Sequence, residues 1–261
     1  FGALANNTTA SYNTAVGACS LYANTTGTNL VAVGFKALTA NTCGSENTAV
    51  GSGSLCLNTC GARNTAVGDR SIRDNTIGVD NTGLGYFSLK TNTTASYNTG
   101  VGAYSLQNNT TGNQNVAVGR TALNANTTGC RNTAIGMEAN RSNTTGNWNT
   151  SLGSQSLYAN TTAGGNTALG AKTLLANTTG AGNTASGYAA LCANTTGTLN
   201  TASGQFSMRA NSTGTENTAS GYQALCTNTT ASFNTAVGSR ALKVNTTGAC
   251  NDAFGWCALT T

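Results

Sequence analysis

Histidine and proline are absent from this 261-residue chain, and Lys, Arg, Asp and Glu together make up only 7% of it. Without histidine, neither a Ser-His-Asp triad nor a histidine metal site can be built. The seven carboxylates are dispersed. Glu46 and Asp80 come nearest to a pair, yet they fall two repeats, roughly 10 Å, apart with Arg63 between them, which predicts a salt-bridge ladder and not a glycosidase dyad. No run reaches the ~20 apolar residues of a membrane span. A net charge of +5 with no run of like sign marks neither a nucleic-acid site nor an anionic-membrane site and reads as solvated scatter. There is no initiator methionine and no basic-plus-apolar leader, which reads as a mature product or a fragment. The 33 glycines open no helix, so they form no phosphate-binding loop. The expectation is a non-catalytic chain without a cofactor or a metal.

What fills the chain is one motif. Asn13-Thr14-Ala15-Val16-Gly17 returns as Asn47 to Gly51, Asn64 to Gly68, Asn132 to Gly136 and Asn234 to Gly238, and in looser form every seventeen residues without a break in register. A fixed period of this length is the mark of a repeat architecture. Fifteen complete rungs end on Gly17 to Gly255, and Trp256 to Thr261 begin a sixteenth. Thr, Val, Asn and Gly dominate each rung and no apolar pattern of helical spacing persists, which excludes helix. The prediction is an all-β chain, a parallel β-solenoid of about fifteen 17-residue rungs plus a partial C-terminal rung, forming a single domain over residues 1–261.

Each rung position acts as one site sampled fifteen times. Position 7 is always asparagine, from Asn7 onward; position 13, from Asn13 onward, is asparagine except at Leu30; position 17, from Gly17 onward, is always glycine. Stacked amides at the strand spacing predict two asparagine ladders along the axis. Glycine at 17, and at most rungs also at 10, predicts bends of positive φ. Seventeen of the nineteen charged residues and fifteen of the sixteen aromatics fall at positions 1, 2, 5 and 12, which must face outward. Leucine at position 4 then faces inward, and alternation puts the valine or leucine of position 16 beside it. Position 15, confined to Ala, Gly or Ser, faces either a neighbouring chain or the solenoid's own opposite wall.

The nine cysteines point to an oxidising location if they pair. Cys43 and Cys60 share position 9 of adjacent rungs, within disulfide reach. Cys192 and Cys226 are two rungs apart, too far to bridge, and Cys56 with Cys60 lacks two further ligands for zinc. Residues 256–261 and residues 7–17 of a second copy together make one full rung. A head-to-tail filament is the expectation, with Cys257 one rung from the next chain's Cys19 as a candidate intermolecular disulfide. Position 7 also supplies Asn-X-Thr/Ser acceptor sites such as Asn24, Asn126 and Asn245, with Thr25 and Thr127 as O-linked candidates. The asparagine persists where the acceptor pattern fails, at Asn41, Asn58 and Asn75, which favours an internal ladder over a glycan coat.

The pentad at Asn13 to Gly17, with the small residue and leucine at positions 3 and 4, is similar to the Ser-Val-Ala-Ile-Gly repeats in the heads of YadA-like trimeric autotransporter adhesins. It resembles still more the Asn-Thr-Ala-Val/Ile-Gly arrays of bacterial and phage tail-fibre-like proteins. The resemblance covers the whole chain and implies a parallel β-roll, commonly trimeric, exposed on a cell or particle surface for adhesion or as a fibre shaft. The rung here is longer than the adhesin repeat, and the coiled-coil stalk and membrane anchor are lacking. The expected function is a structural subunit of an extracellular or cell-surface fibre, with copies of itself and glycans as partners. A glycan-binding trimeric adhesin or tail-fibre shaft and an ice-binding solenoid are the alternatives.

Overall fold

The computed structural model describes residues 2–259, and within them there are fifteen three-residue strands and no helix. The chain forms two compact units, Phe1–Arg131 and Asn132–Thr261, built on the same plan. Every strand occupies positions 14 to 16 of its rung: Thr14–Val16, Val31–Val33 and Thr48–Val50 begin the first unit, Thr133–Ile135 and Thr150–Leu152 the second. Neighbours pair in parallel and in register, Thr14 with Val31 and Ala15 with Ala32, or Thr167 with Thr184 and Ala168 with Ala185. The 17-residue period is therefore one turn of a parallel β-solenoid, as the repeat predicts.

The strands are short, yet pairing runs round most of the rung. Leu38, Ala40, Thr42 and Thr48 donate backbone N–H groups forward to Ser54, Cys56, Thr59 and Asn64, and Glu46 and Gly51 donate backward to Thr28 and Val33, at 2.8–3.1 Å. Buried amides and carbonyls must be paired, and a coil of this width satisfies them along the axis because it has no room to do so across the rung.

The core is thin. Leucine at position 4 faces inward as expected, with Leu21, Leu38, Leu55, Leu174 and Leu191 fully buried. Position 15 is the residue opposite: Ala32, Ala49, Ala66, Ala168 and Ala185 are also fully buried, so the alanines meet the solenoid's own wall and not a neighbour. This overturns the assignment of position 16 to the core. Val16, Val67, Leu84, Ile135, Leu152 and Leu169 are exposed, and position 14 shares their side of the strand.

The reason is space. Where Ile72 replaces leucine, position 15 shrinks to Gly83, and a Cβ there would lie 2.6 Å from both Ile72 Cγ1 and Ser71 Oγ. The gap between the walls admits only the small side chains Ala, Gly and Ser, so strand alternation turns the branched residues outward.

The bends also differ from expectation. Glycine at 17 does take positive φ, from +115° to +136° at Gly102, Gly119, Gly136 and Gly153. Glycine at 10 does not, and it is small for a different reason: a Cβ on Gly27 would sit 2.4 Å from the carbonyl oxygen of Gly44 and 2.6 Å from Asn24 Oδ1. The other left-handed residues stand at positions 2, 4 and 12 and are mostly not glycine, among them Lys36, Leu38 and Glu46 at φ +56°, +50° and +60°. Each costs about 1 kcal/mol against an ordinary backbone, a cost offset at position 4 by complete burial of the leucine.

Candidate functional site on the outward columns

Behind the outward columns stand the two ladders. At position 7, Asn41 Nδ2 donates to Asn24 Oδ1 at 2.9 Å and to the carbonyl of Gly44 at 2.9 Å. The pattern repeats in the second unit, where Asn194 Nδ2 donates to Asn177 Oδ1 at 2.8 Å and to Gly197 O at 2.9 Å. At position 13, Asn64 Nδ2 donates to the Gly78 carbonyl at 2.9 Å, and the backbone N–H of Asn81 donates to Asn64 Oδ1 at 3.0 Å. Leu30 interrupts this second ladder, and its own N–H still donates to Asn13 Oδ1 at 3.0 Å.

These bonds decide the acceptor sites. Asn24 and Asn126 are fully buried with their Nδ2 atoms already donating twice, so the ladder accounts for them and leaves no nitrogen for a glycan. Asn245 is half-buried and donates in the same way to Asn228 and Gly248. Thr25 is half-buried with its hydroxyl donating to the Thr42 carbonyl at 3.0 Å; Thr127 is half-buried too. The column after it, position 9, is exposed, as at Thr26 and Thr128.

Cys43 and Cys60 form a disulfide with their Cα atoms 4.8 Å apart, which also takes Cys60 out of any thiolate metal set. Cys19 and Cys257 are half-buried in column 2. Of the segments expected to join two copies, Phe1, Thr260 and Thr261 lie outside the described residues. Burial pushes the thiols of Cys56 and Cys192 up, against the opposing pull of Lys36 and Arg73 on the first and of Lys172 and Arg209 on the second.

The strand face presents Thr or Val at position 14, apart from Asp252, and, through the whole first unit, an aliphatic residue at 16: Val16, Val33, Val50, Val67, Leu84, Val101 and Val118. In the second unit the ridge is interrupted by Ser186, Ser203 and Ser220. Column 12 carries a forked ion pair, Arg63 Nε to Asp80 Oδ1 at 2.7 Å and Nη2 to Oδ2 at 2.9 Å. The hydrogen bond from Arg63 holds the Asp80 carboxyl below its ordinary range. Of the expected ladder this is the part that forms, and Glu46 acts on Arg63 only through its field.

Columns 1, 2 and 5 meet on one edge of the rung. Tyr86 stacks on Phe87 at 4.0 Å and meets Tyr104 edge-on at 5.3 Å, while Arg70 and Lys90 lie over Phe87 at 5.5 and 4.8 Å. In the second unit Phe206 packs edge-on against Tyr188 at 5.6 Å and against Tyr222 at 6.4 Å, with Arg209 over it at 5.6 Å. Rung position alone turns these columns outward, and the ring and cation contacts bring columns 1, 2 and 5 together on this edge. Among the described residues no group of three or more Cys, Asp and Glu is placed to hold a metal ion, and no helix is long and apolar enough to cross a membrane. Comparison with known protein families, with curated proteins and with solved structures finds no match to this chain.

Proposed function

We propose that the chain is a structural, non-catalytic subunit of an extracellular or cell-surface fibre, associating with copies of itself end to end and laterally. The observation that carries this reading is the rung-to-rung register of the buried amides, in which an asparagine of column 7 such as Asn41 or Asn194 donates to the one before it and accepts from the one after. Buried polar groups are directed into axial stacking, and a rung of a second copy offers the same donors and acceptors in the same places. The exposed aliphatic ridge at position 16 supports lateral contact, and the Cys43–Cys60 disulfide supports an oxidising location. Electron microscopy of the purified chain, with sedimentation across a concentration series, tests it. Uniform filaments that lengthen with concentration are expected; a monomer at every concentration overturns the assembly. A discrete three-copy species instead would favour the trimeric shaft that the resemblance implies.

One observation favours a second reading. Thr14 and its column mates point outward from a regular parallel sheet beside the aliphatic ridge, a repeating surface of methyl groups that suits an ordered solid such as ice. Thermal hysteresis in a freezing assay of the purified chain would favour this reading over the fibre.

A further inference from the structure

Every lysine and arginine of residues 132–261 lies in column 2 or 5: Arg141, Lys172, Arg209, Arg240 and Lys243. They stand on alternate rungs, so successive cationic rungs are roughly 10 Å apart, twice the strand spacing. The rungs between them carry Tyr158, Tyr188 and Tyr222 in columns 1 and 5, and Tyr188 and Tyr222 are 45% and 41% exposed. The columns form one surface, because Arg141 both hydrogen-bonds the hydroxyl of Tyr158 and lies over its ring, while Phe206 joins Tyr188, Arg209 and Tyr222. Against the five cations the edge bears one carboxylate, Glu138, which accepts from Gln155 Nε2 at 2.9 Å. Glu216 and Asp252 belong to columns 12 and 14. Among the described residues no carboxylate pairs with any of the five.

We propose that this edge, alternating cation and tyrosine rung by rung, binds an acidic polysaccharide whose carboxylate or sulfate groups recur on every second sugar. An extended polysaccharide advances per sugar by roughly what the solenoid advances per rung, about 5 Å. Such a chain laid along the axis sets an acidic sugar over each cationic rung and the C–H face of the intervening sugar over each tyrosine ring. Duplex nucleic acid fits less well, because it presents one negative charge per ~1.7 Å of axis to an edge with a cation only every ~10 Å. The fixed spacing also distinguishes the edge from diffuse positive charge, since aromatic rings hold two of the cations, Arg141 and Arg209, in place. This proposal goes beyond the fibre reading and does not depend on assembly, since a single chain carries the whole edge.

Titration calorimetry of the full chain at low salt tests it, with hyaluronan, which bears one carboxylate per disaccharide, as the probe. Polygalacturonate, dextran and duplex DNA are the comparison arms. Hyaluronan is expected to bind most tightly, with an affinity that falls as salt rises, and dextran not at all. The double variant K172Q/R209Q is expected to weaken hyaluronan at least tenfold and Y188S/Y222S several-fold, with unchanged circular dichroism, while R63Q in column 12 leaves binding as it was. Equal or tighter binding of polygalacturonate overturns the two-rung match, tighter binding of DNA overturns the class of partner, and absence of hyaluronan binding overturns the site.

Discussion

Asn109 Nδ2 lies 3.0 Å from Asn92 Oδ1, and Asn92 Nδ2 lies 3.0 Å from Asn75 Oδ1 and 2.9 Å from the Ala95 carbonyl. One fully buried side chain thus joins three rungs. Asn92→Ala removes three bonds at once and leaves a donor on Asn109 and the acceptor on Asn75 without partners, while the Ala95 carbonyl keeps its bond from Asn81 Nδ2. At about 1–3 kcal/mol for each of the two orphaned buried groups, the loss is expected to be about 2 kcal/mol or more. Urea denaturation measures it, and a change below about 1 kcal/mol would mean that the ladder is ornamental to stability.

Asn140 makes the opposite case. It stands in the leucine column, fully buried, and neither its Nδ2 nor its Oδ1 has a hydrogen-bond partner among the described residues. On the same rung Ser151 replaces the usual alanine of position 15 and donates to the Thr133 carbonyl at 3.3 Å. Asn140→Leu combined with Ser151→Ala restores the common rung and removes the unpaired amide. A stabilisation of about 2 kcal/mol or more is expected, seen as a raised thermal midpoint; a lowered midpoint would show that this amide has a partner in solution.

The two glycine columns predict unequal responses. Gly187 combines φ +122° with a Cβ position 2.7 Å from the carbonyl carbon of Gly204, so Gly187→Ala suffers both backbone strain and a backbone clash. Gly180 has no such φ, so Gly180→Ala meets only the contact, with a Cβ position 2.3 Å from the Gly197 carbonyl oxygen, and its column already holds Ala95, Ala163 and Ala231 in other rungs, where the neighbouring rung gives way to the methyl group. Gly180→Ala is therefore expected to lower the melting temperature by much less than Gly187→Ala. Equal losses would refute the separation of the two roles.

Reduction of the Cys43–Cys60 bridge, which closes a separation of 17 residues, frees a loop of a size whose closure is worth about 3 kcal/mol in the unfolded chain. The melting temperature is expected to fall on adding a reductant and to fall equally in a Cys43→Ser, Cys60→Ser variant, which then ignores the reductant.

Thiol reactivity follows burial. With their thiols pushed up by desolvation, Cys56 and Cys192 stay protonated at neutral pH and are expected to alkylate slowly, whereas Cys250 is exposed. Peptide mapping after timed iodoacetamide treatment checks the order. Faster modification of Cys192 than of Cys250 would contradict it.

In acid, the column 12 ion pair gives a signed prediction. The Asp80 carboxyl is held below its usual range by Arg63, so its contribution is complete above the ordinary aspartate pKa and is lost as pH falls through the lowered one. The pair is exposed, so the effect is small. Asp80→Asn is expected to flatten this part of the acid stability profile without moving the neutral melting temperature appreciably.

The period, the parallel stacking, the Asn7 and Asn13 ladders, the inward leucine and the Cys43–Cys60 bridge are all determined by the sequence alone. An exact 17-residue repeat places like above like, and contacts along the axis need only the column and the strand spacing. What crosses the rung needed the tertiary structure. Ala15 and Val16 are adjacent, and their side chains take opposite sides, so the pattern permits either to face Leu4 and its column; only the distance between the walls, which admits no branched side chain, selects the small residue. The left-handed φ of Leu38 and Lys36 belongs to the same class, since nothing in a leucine or a lysine announces that geometry. The outward placement of Arg141, Lys172 and Arg209 follows from their rung positions, but that columns 1, 2 and 5 meet on one edge, as Phe206 does with Tyr188 and Arg209, depends on how the chain bends between those positions, which the repeat does not specify.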